Sequence, residues 1–253
     1  MAEGNTEVKT DERKWWSKAL LVGAVVGIAA LPIGALGTKL GIWSFMGGFA
    51  LLGVGVILAT IVFFLGIIGA VYTNSKGLTS DRSACLTGVV ISAVILVLMG
   101  NQFMTASSVP PIHNISTDTQ DPPQFTTLVA VREADENVNP HEYDTEKLAQ
   151  VQREAYPQIK PLVSSASKAE MFGKAVQALE SLGMEVASQD PVAGVVEATD
   201  ETFWFGFKDD VVVRIQSQGS GSVVDVRSVS RVGQSDLGKN AARIGEILAL
   251  LQN

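Results

Sequence analysis

Cysteine occurs once in the 253-residue chain, at Cys85, and histidine twice, at His113 and His141. A lone cysteine excludes a disulfide within the chain, so any folded part is held by its core alone. Both histidines lie in irregular, proline-flanked stretches. They supply no base for a Ser-His-Asp arrangement and, with no cysteine beside them, make a poor zinc site. Neither a metal nor any other cofactor is expected. The third shortage is of charge. No Asp, Glu, Lys, Arg or His falls within 19–36, 44–71 or 84–104. Proton relays and ion pathways through a bilayer usually need an ionisable residue, so transport is disfavoured and anchoring is the default.

Those three runs are what the sequence has in abundance. Each is apolar over about 20 residues or more, the length that crosses a hydrocarbon core. Trp15, Trp16, Trp43 and Tyr72 stand at the run edges, where an aromatic belt would lie. Two further runs after the first speak against its being a cleaved leader. Gly23 and Gly27, and Gly66, Gly69 and Ala70, offer small positions at which helices approach closely.

Lys9, Arg13, Lys14 and Lys18 precede the first run, and Lys76 and Arg82 separate the second from the third. Lys39 stands alone between the first two, and no Lys or Arg follows the third until Arg132. Cationic loops stay on the cytoplasmic side, so residues 1–18 are expected as a cytoplasmic tail. Residues 106–253 then lie outside the cytoplasm, which for a bacterial inner-membrane protein is the periplasm. Residues 1–105 carry seven Lys or Arg against five Asp or Glu, net +2; residues 106–253 carry twelve against twenty-one, net −9. No nucleic-acid partner is expected of a half so acidic.

The exported half opens with 106–125, which holds Pro110, Pro111, Pro122 and Pro123 and is expected as an extended linker. From 126 to 253 the pattern is that of an α+β domain. Residues 126–133 read as a strand, and 144–155 as a helix with Leu148, Val151 and Ala155 on one face, ended by Pro157. Ser167 with Glu170 three residues later is a capping box. The helix it starts carries Met171, Ala175, Ala178, Leu179 and Leu182 and stops at Gly183. Strand signals follow at 184–188, 194–198, 202–207, 210–216 and 222–231, too closely spaced for crossover helices, and therefore an antiparallel meander. In 202–207, Phe203, Phe205 and Phe207 share the expected core face and leave Trp204 on the other. A last helix over 236–251 repeats Leu237, Ala241, Ile244, Leu248 and Leu251. The expected fold is a membrane segment of three spans, then a meander covered by helices on one face.

Candidate chemistry concentrates in RSVSRVGQSDLGKN, 227–240. Strand alternation puts Asp225, Arg227 and Arg231 on one face and Ser228 and Ser230 on the other. In the preceding strand Asp210 and Arg214 share a face, so carboxylates and guanidiniums meet across the QGSG turn. Ser235 or Asp236 caps the last helix, and Asn240 and Arg243 flank its apolar stripe, with Asp225 or Asp210 as the expected partner of Arg243. Three readings are open. Asp210, Arg214 and Asp225 belong to a structural ion-pair network that also engages Arg227, Arg231, Asn240 and Arg243. Alternatively Arg227, Ser228, Ser230, Arg231, Ser235, Asp236, Asn240 and Arg243 bind an anionic small molecule or lipid head group at a helix N-terminus. The third is a hydrolase or transferase using Asp210 or Asp236 with Ser228, Ser230 or Ser235, which lacks an evident base.

IHNISTD (112–118), DPPQF (121–125), Tyr156-Pro157, GFKDDVVVRI (206–215) and VDVRSVSRVGQSDLGKNAARI (224–244) resemble the domain of unknown function 1499 family. The family pattern has Asp where this chain has Asn114, and a small apolar residue where it has Lys239. The resemblance implies an exported or membrane-attached bacterial protein with relatives in chloroplasts, and brings no reaction, ligand or catalytic residue. The reading is a membrane-anchored periplasmic binding or assembly module, possible partners being membrane lipids, an envelope or membrane-complex protein, or an anionic small molecule.

Overall fold

The computed structural model describes residues 12–134 and 138–252, and the chain divides into two compact units at Phe103 and Met104. The first unit holds helices α1 (Trp15–Lys39), α2 (Phe45–Ser75) and α3 (Thr79–Ser108), the last running on past the division. All three are long and apolar enough to cross a membrane. Their contacts are made by small residues, as the glycine positions predict. A Cβ on Gly27 would stand 3.3 Å from the Gly55 carbonyl oxygen, and one on Gly55 2.8 Å from that of Gly27. Backbones that close leave no room for a side chain. α3 starts ahead of its apolar run, and the buried Asp81 in its first turn accepts hydrogen bonds from the Lys14 amide and the Ser17 hydroxyl at the start of α1. A carboxylate there satisfies donors that a helix leaves open.

The second unit is built on a six-stranded antiparallel sheet. Its strands are β1 (Asn114–Ser116), β2 (Leu162–Ser164), β3 (Glu185–Asp190), β4 (Val195–Glu201), β5 (Lys208–Gln218) and β6 (Gly221–Ser230). β3 to β6 form the expected meander, and β1 and β2 pair with different stretches of β6. Helices α6 (Lys168–Ser181) and α7 (Lys239–Gln252) cover one face. There Val211, Val213, Ile215, Val224 and Val226 meet Met171, Leu179, Ile244 and Ile247, all buried. Ser167 and Glu170 form the capping box, and Gly183 turns the chain after α6 at φ 78°. The opposite face is also covered: Phe125 and Leu128 pack on Val212 and Val229.

Five expectations need correcting. Residues 127–133 form helix α4 (Thr127–Glu133), not a strand. The β-branched residues favour extension locally, but the Glu197 carboxylate on β4 accepts from the amides of Thr126, Thr127 and Leu128 and seeds a helix instead. The proline-rich stretch 106–125 is not only a linker, since it supplies β1 with all three residues buried. Prolines flank that strand without entering it, so every amide stays available for the ladder. TFWFGF is a turn between β4 and β5, with Phe203 74% exposed and Gly206 at φ 66°. Lastly, α7 begins three residues late, because Leu237 adopts φ 55° and remains exposed, and Ile247 joins the buried stripe. Helix α5 (Thr145–Ala155) also turns a different flank inward, burying Ala149 and Gln152 and exposing Val151.

Candidate functional site

Alternation along β6 divides the 227–240 stretch between the two sides of the sheet. Arg227 and Arg231 belong to the face covered by α4, Ser228 and Ser230 to the face covered by α7. No single pocket can collect them, because the sheet stands between.

On the first face Asp210 is fully buried and holds two guanidiniums. Arg132 of α4 donates at 2.6 Å, Arg231 at 2.8 Å, and the Thr199 hydroxyl at 2.8 Å. Burial pushes the Asp210 carboxyl up, but the bonds from Arg231 and Arg132 outweigh it and hold the group below the ordinary carboxylate range. Arg214 lies directly opposite Asp225 in the ladder, as the turn geometry predicts, at 3.0 Å, and also reaches Asp121 at 2.8 Å. Burial raises Asp225 despite Arg214 and the Thr117 hydroxyl. Arg227 has no ion pair among the described residues. Its fork donates to Asn114 Oδ1 and the Pro123 carbonyl, both at 3.0 Å, and to the His141 carbonyl. The Phe125 and Tyr143 rings flank it at 5.3 and 5.9 Å. Burial, with repulsion from Arg132, brings its pKa down to about 10.

The second face carries a separate network. Ser228 donates to Asn240 Oδ1 at 2.6 Å, while Asn240 Nδ2 donates to Ser230 Oγ and the His113 carbonyl. Arg243 contacts Ser228 and Asn240, and its carboxylate partners are Asp200 and Asp209, the latter at 2.8 Å. The expectation that Arg243 answers Asp225 or Asp210 is therefore wrong. Those two lie on the far side of the sheet, and neighbouring strand residues such as Asp209 and Asp210 point to opposite faces. Asp236 receives the Gly238 and Asn240 amides at 2.8 and 2.9 Å and so caps α7, while Ser235 takes the Leu237 amide at 3.3 Å. Burial raises the Asp236 carboxyl beyond what those amides recover.

Sequence reasoning missed Arg132, Glu197, Asp200, Asp209 and Asn114. Arg132 ends an apolar run and Glu197 interrupts one, which is the available signal; nothing local pairs them with their partners. His113 does come beside the junction, yet its ring nitrogen faces the Gln234 carbonyl at 3.4 Å and no serine. Among the described residues no three His, Cys, Asp or Glu side chains converge as metal ligands.

A family model described as "Protein of unknown function (DUF1499)" matches residues 114–251. No curated protein matches the chain.

Proposed function

The chain belongs to the DUF1499 family of proteins of unknown function, and from that premise we propose that it is a membrane-anchored binding or assembly module of the bacterial envelope. Its α+β domain faces the periplasm and works through its surface rather than by catalysis. Three helices able to cross a membrane support the anchor, and the Lys and Arg around them support the orientation.

The observation that carries the reading is that the carboxylates around the charged junction are occupied. Asp210 is shared by Arg132 and Arg231, Asp225 is held by Arg214, and Asp236 caps a helix. Ser228 and Ser230 bond to Asn240 within the core. A general base needs a free lone pair within reach of an incoming proton, and these groups have spent theirs on the fold.

Purification of the full chain in mild detergent, with quantification of bound chains and lipids, tests this beside a Ser228→Ala/Ser230→Ala variant. A stoichiometric companion should be retained by both proteins. A wild type that turns over an ester, phosphoester or peptide, paired with a folded serine variant that does not, would sink the reading.

A further inference from the structure

The buried networks use up most of the domain's arginines, and Arg153 stands outside them. Arg153 on α5 and Lys160 beyond it make no ion pair among the described residues, in a half of the chain whose net charge is −9. Both line one pocket of about 310 Å³, together with Thr117, Thr119, Tyr156 and Ile159, and no carboxylate lines it.

Its polar groups are prearranged as donors. Thr119, nearly buried, accepts from Arg153 Nη1 at 3.0 Å, which steadies the guanidinium and leaves the threonine hydroxyl proton unassigned. Thr117 takes no part, because its hydroxyl already bridges Asp225 and the Val226 amide. Tyr156 takes no part either, because its hydroxyl is enclosed in protein beside Gly238.

We propose that this pocket binds a phosphate ester, with Arg153 and Lys160 supplying charge and the Thr119 hydroxyl completing the shell. A phosphate group has an acceptor oxygen for each of these three donors, which the two oxygens of a carboxylate do not supply. The volume is near the lower end for ligand pockets, about 300 Å³, enough for the phosphate and a small organic group. The ester is either a soluble metabolite or a lipid head group. The site narrows the binding-module reading and rests on it.

Calorimetric titration of the full chain in a phosphate-free neutral detergent tests the site, using inorganic phosphate, glycerol phosphate and short-chain phosphatidylglycerol. Saturable binding of at least one probe is expected, weakened about tenfold or more in Arg153→Gln and in Lys160→Gln at unchanged thermal midpoint. Lys160 is exposed, so its variant remains informative if Arg153→Gln disturbs α5. Binding of phosphatidylglycerol alone assigns the lipid source; equal binding of glycerol phosphate assigns the soluble one. No saturable binding to wild type, or equal affinity in both variants, overturns the site. Where that happens while a stoichiometric companion is still retained, the broader reading stands and only this pocket is lost.

Discussion

Arg227 is among the largest side chains fully enclosed in the protein, and its charge is met by carbonyls, an amide and two rings instead of a carboxylate. Only a planar fork reaches three acceptors in different directions, so Lys in its place should leave two of them bare. We expect Arg227→Lys to lower stability by about 2–3 kcal/mol, measured by denaturant unfolding of the full chain followed at the exported unit. The aspartates divide by the sign of their shifts. Asp210 titrates below its unfolded value, so its stabilisation is present at neutral pH and is lost as pH falls through that lowered value. Asp236 titrates above its unfolded value; its protonated form is the favoured one, and that contribution disappears as pH rises through the raised value. Asp236→Asn removes the titration but turns one of the two oxygens that accept the Gly238 and Asn240 amides into a donor. The thermal midpoint of the variant relative to wild type should therefore fall from pH 7 to pH 4, as the wild type recovers its contribution. A relative midpoint that rises on acidification would show the sign to be wrong.

Helix α4 exists because of a residue on another element. Glu197, fully buried in β4, accepts from three successive backbone amides and the Thr126 hydroxyl. Glu197→Gln keeps the shape but turns one acceptor into a donor, so the Thr126, Thr127 and Leu128 amides should lose hydrogen-exchange protection while β5 and β6 keep theirs. The same residue explains why 126–133 was misread from sequence: the deciding interaction spans about seventy residues and leaves no local trace. Where the signal is local, the sequence was a good guide. The capping box at Ser167, the stop at Gly183, the meander and the Arg214–Asp225 pairing all depend on neighbours or on a tight turn, and all are present. The partners of Arg243 depend on how α7 sits on the sheet, and strand alternation alone did not supply that. TFWFGF failed for another reason, since alternating aromatics score as a strand whether or not a sheet edge is near enough to pair with them.

At the scale of the whole molecule, three helices fit to cross a membrane precede a domain whose charged interior is neutralised from within. With Cys85 replaced by Ser, a cysteine placed at Val192, 89% exposed in the β3–β4 turn, should react with a membrane-impermeant maleimide in cells whose outer membrane alone is opened. Labelling only after lysis would reverse the orientation. The central claim is that the charged strand–helix junction is scaffold, with binding done elsewhere on the domain. Asp210→Asn tests it most directly, because removing that carboxylate strands Arg132 and Arg231 together, both of them largely enclosed. A loss of about 3–5 kcal/mol is expected, read as collapsed hydrogen-exchange protection across β5 and β6 in the full chain. A variant that keeps wild-type protection yet loses its bound companion would contradict it and make the junction the site.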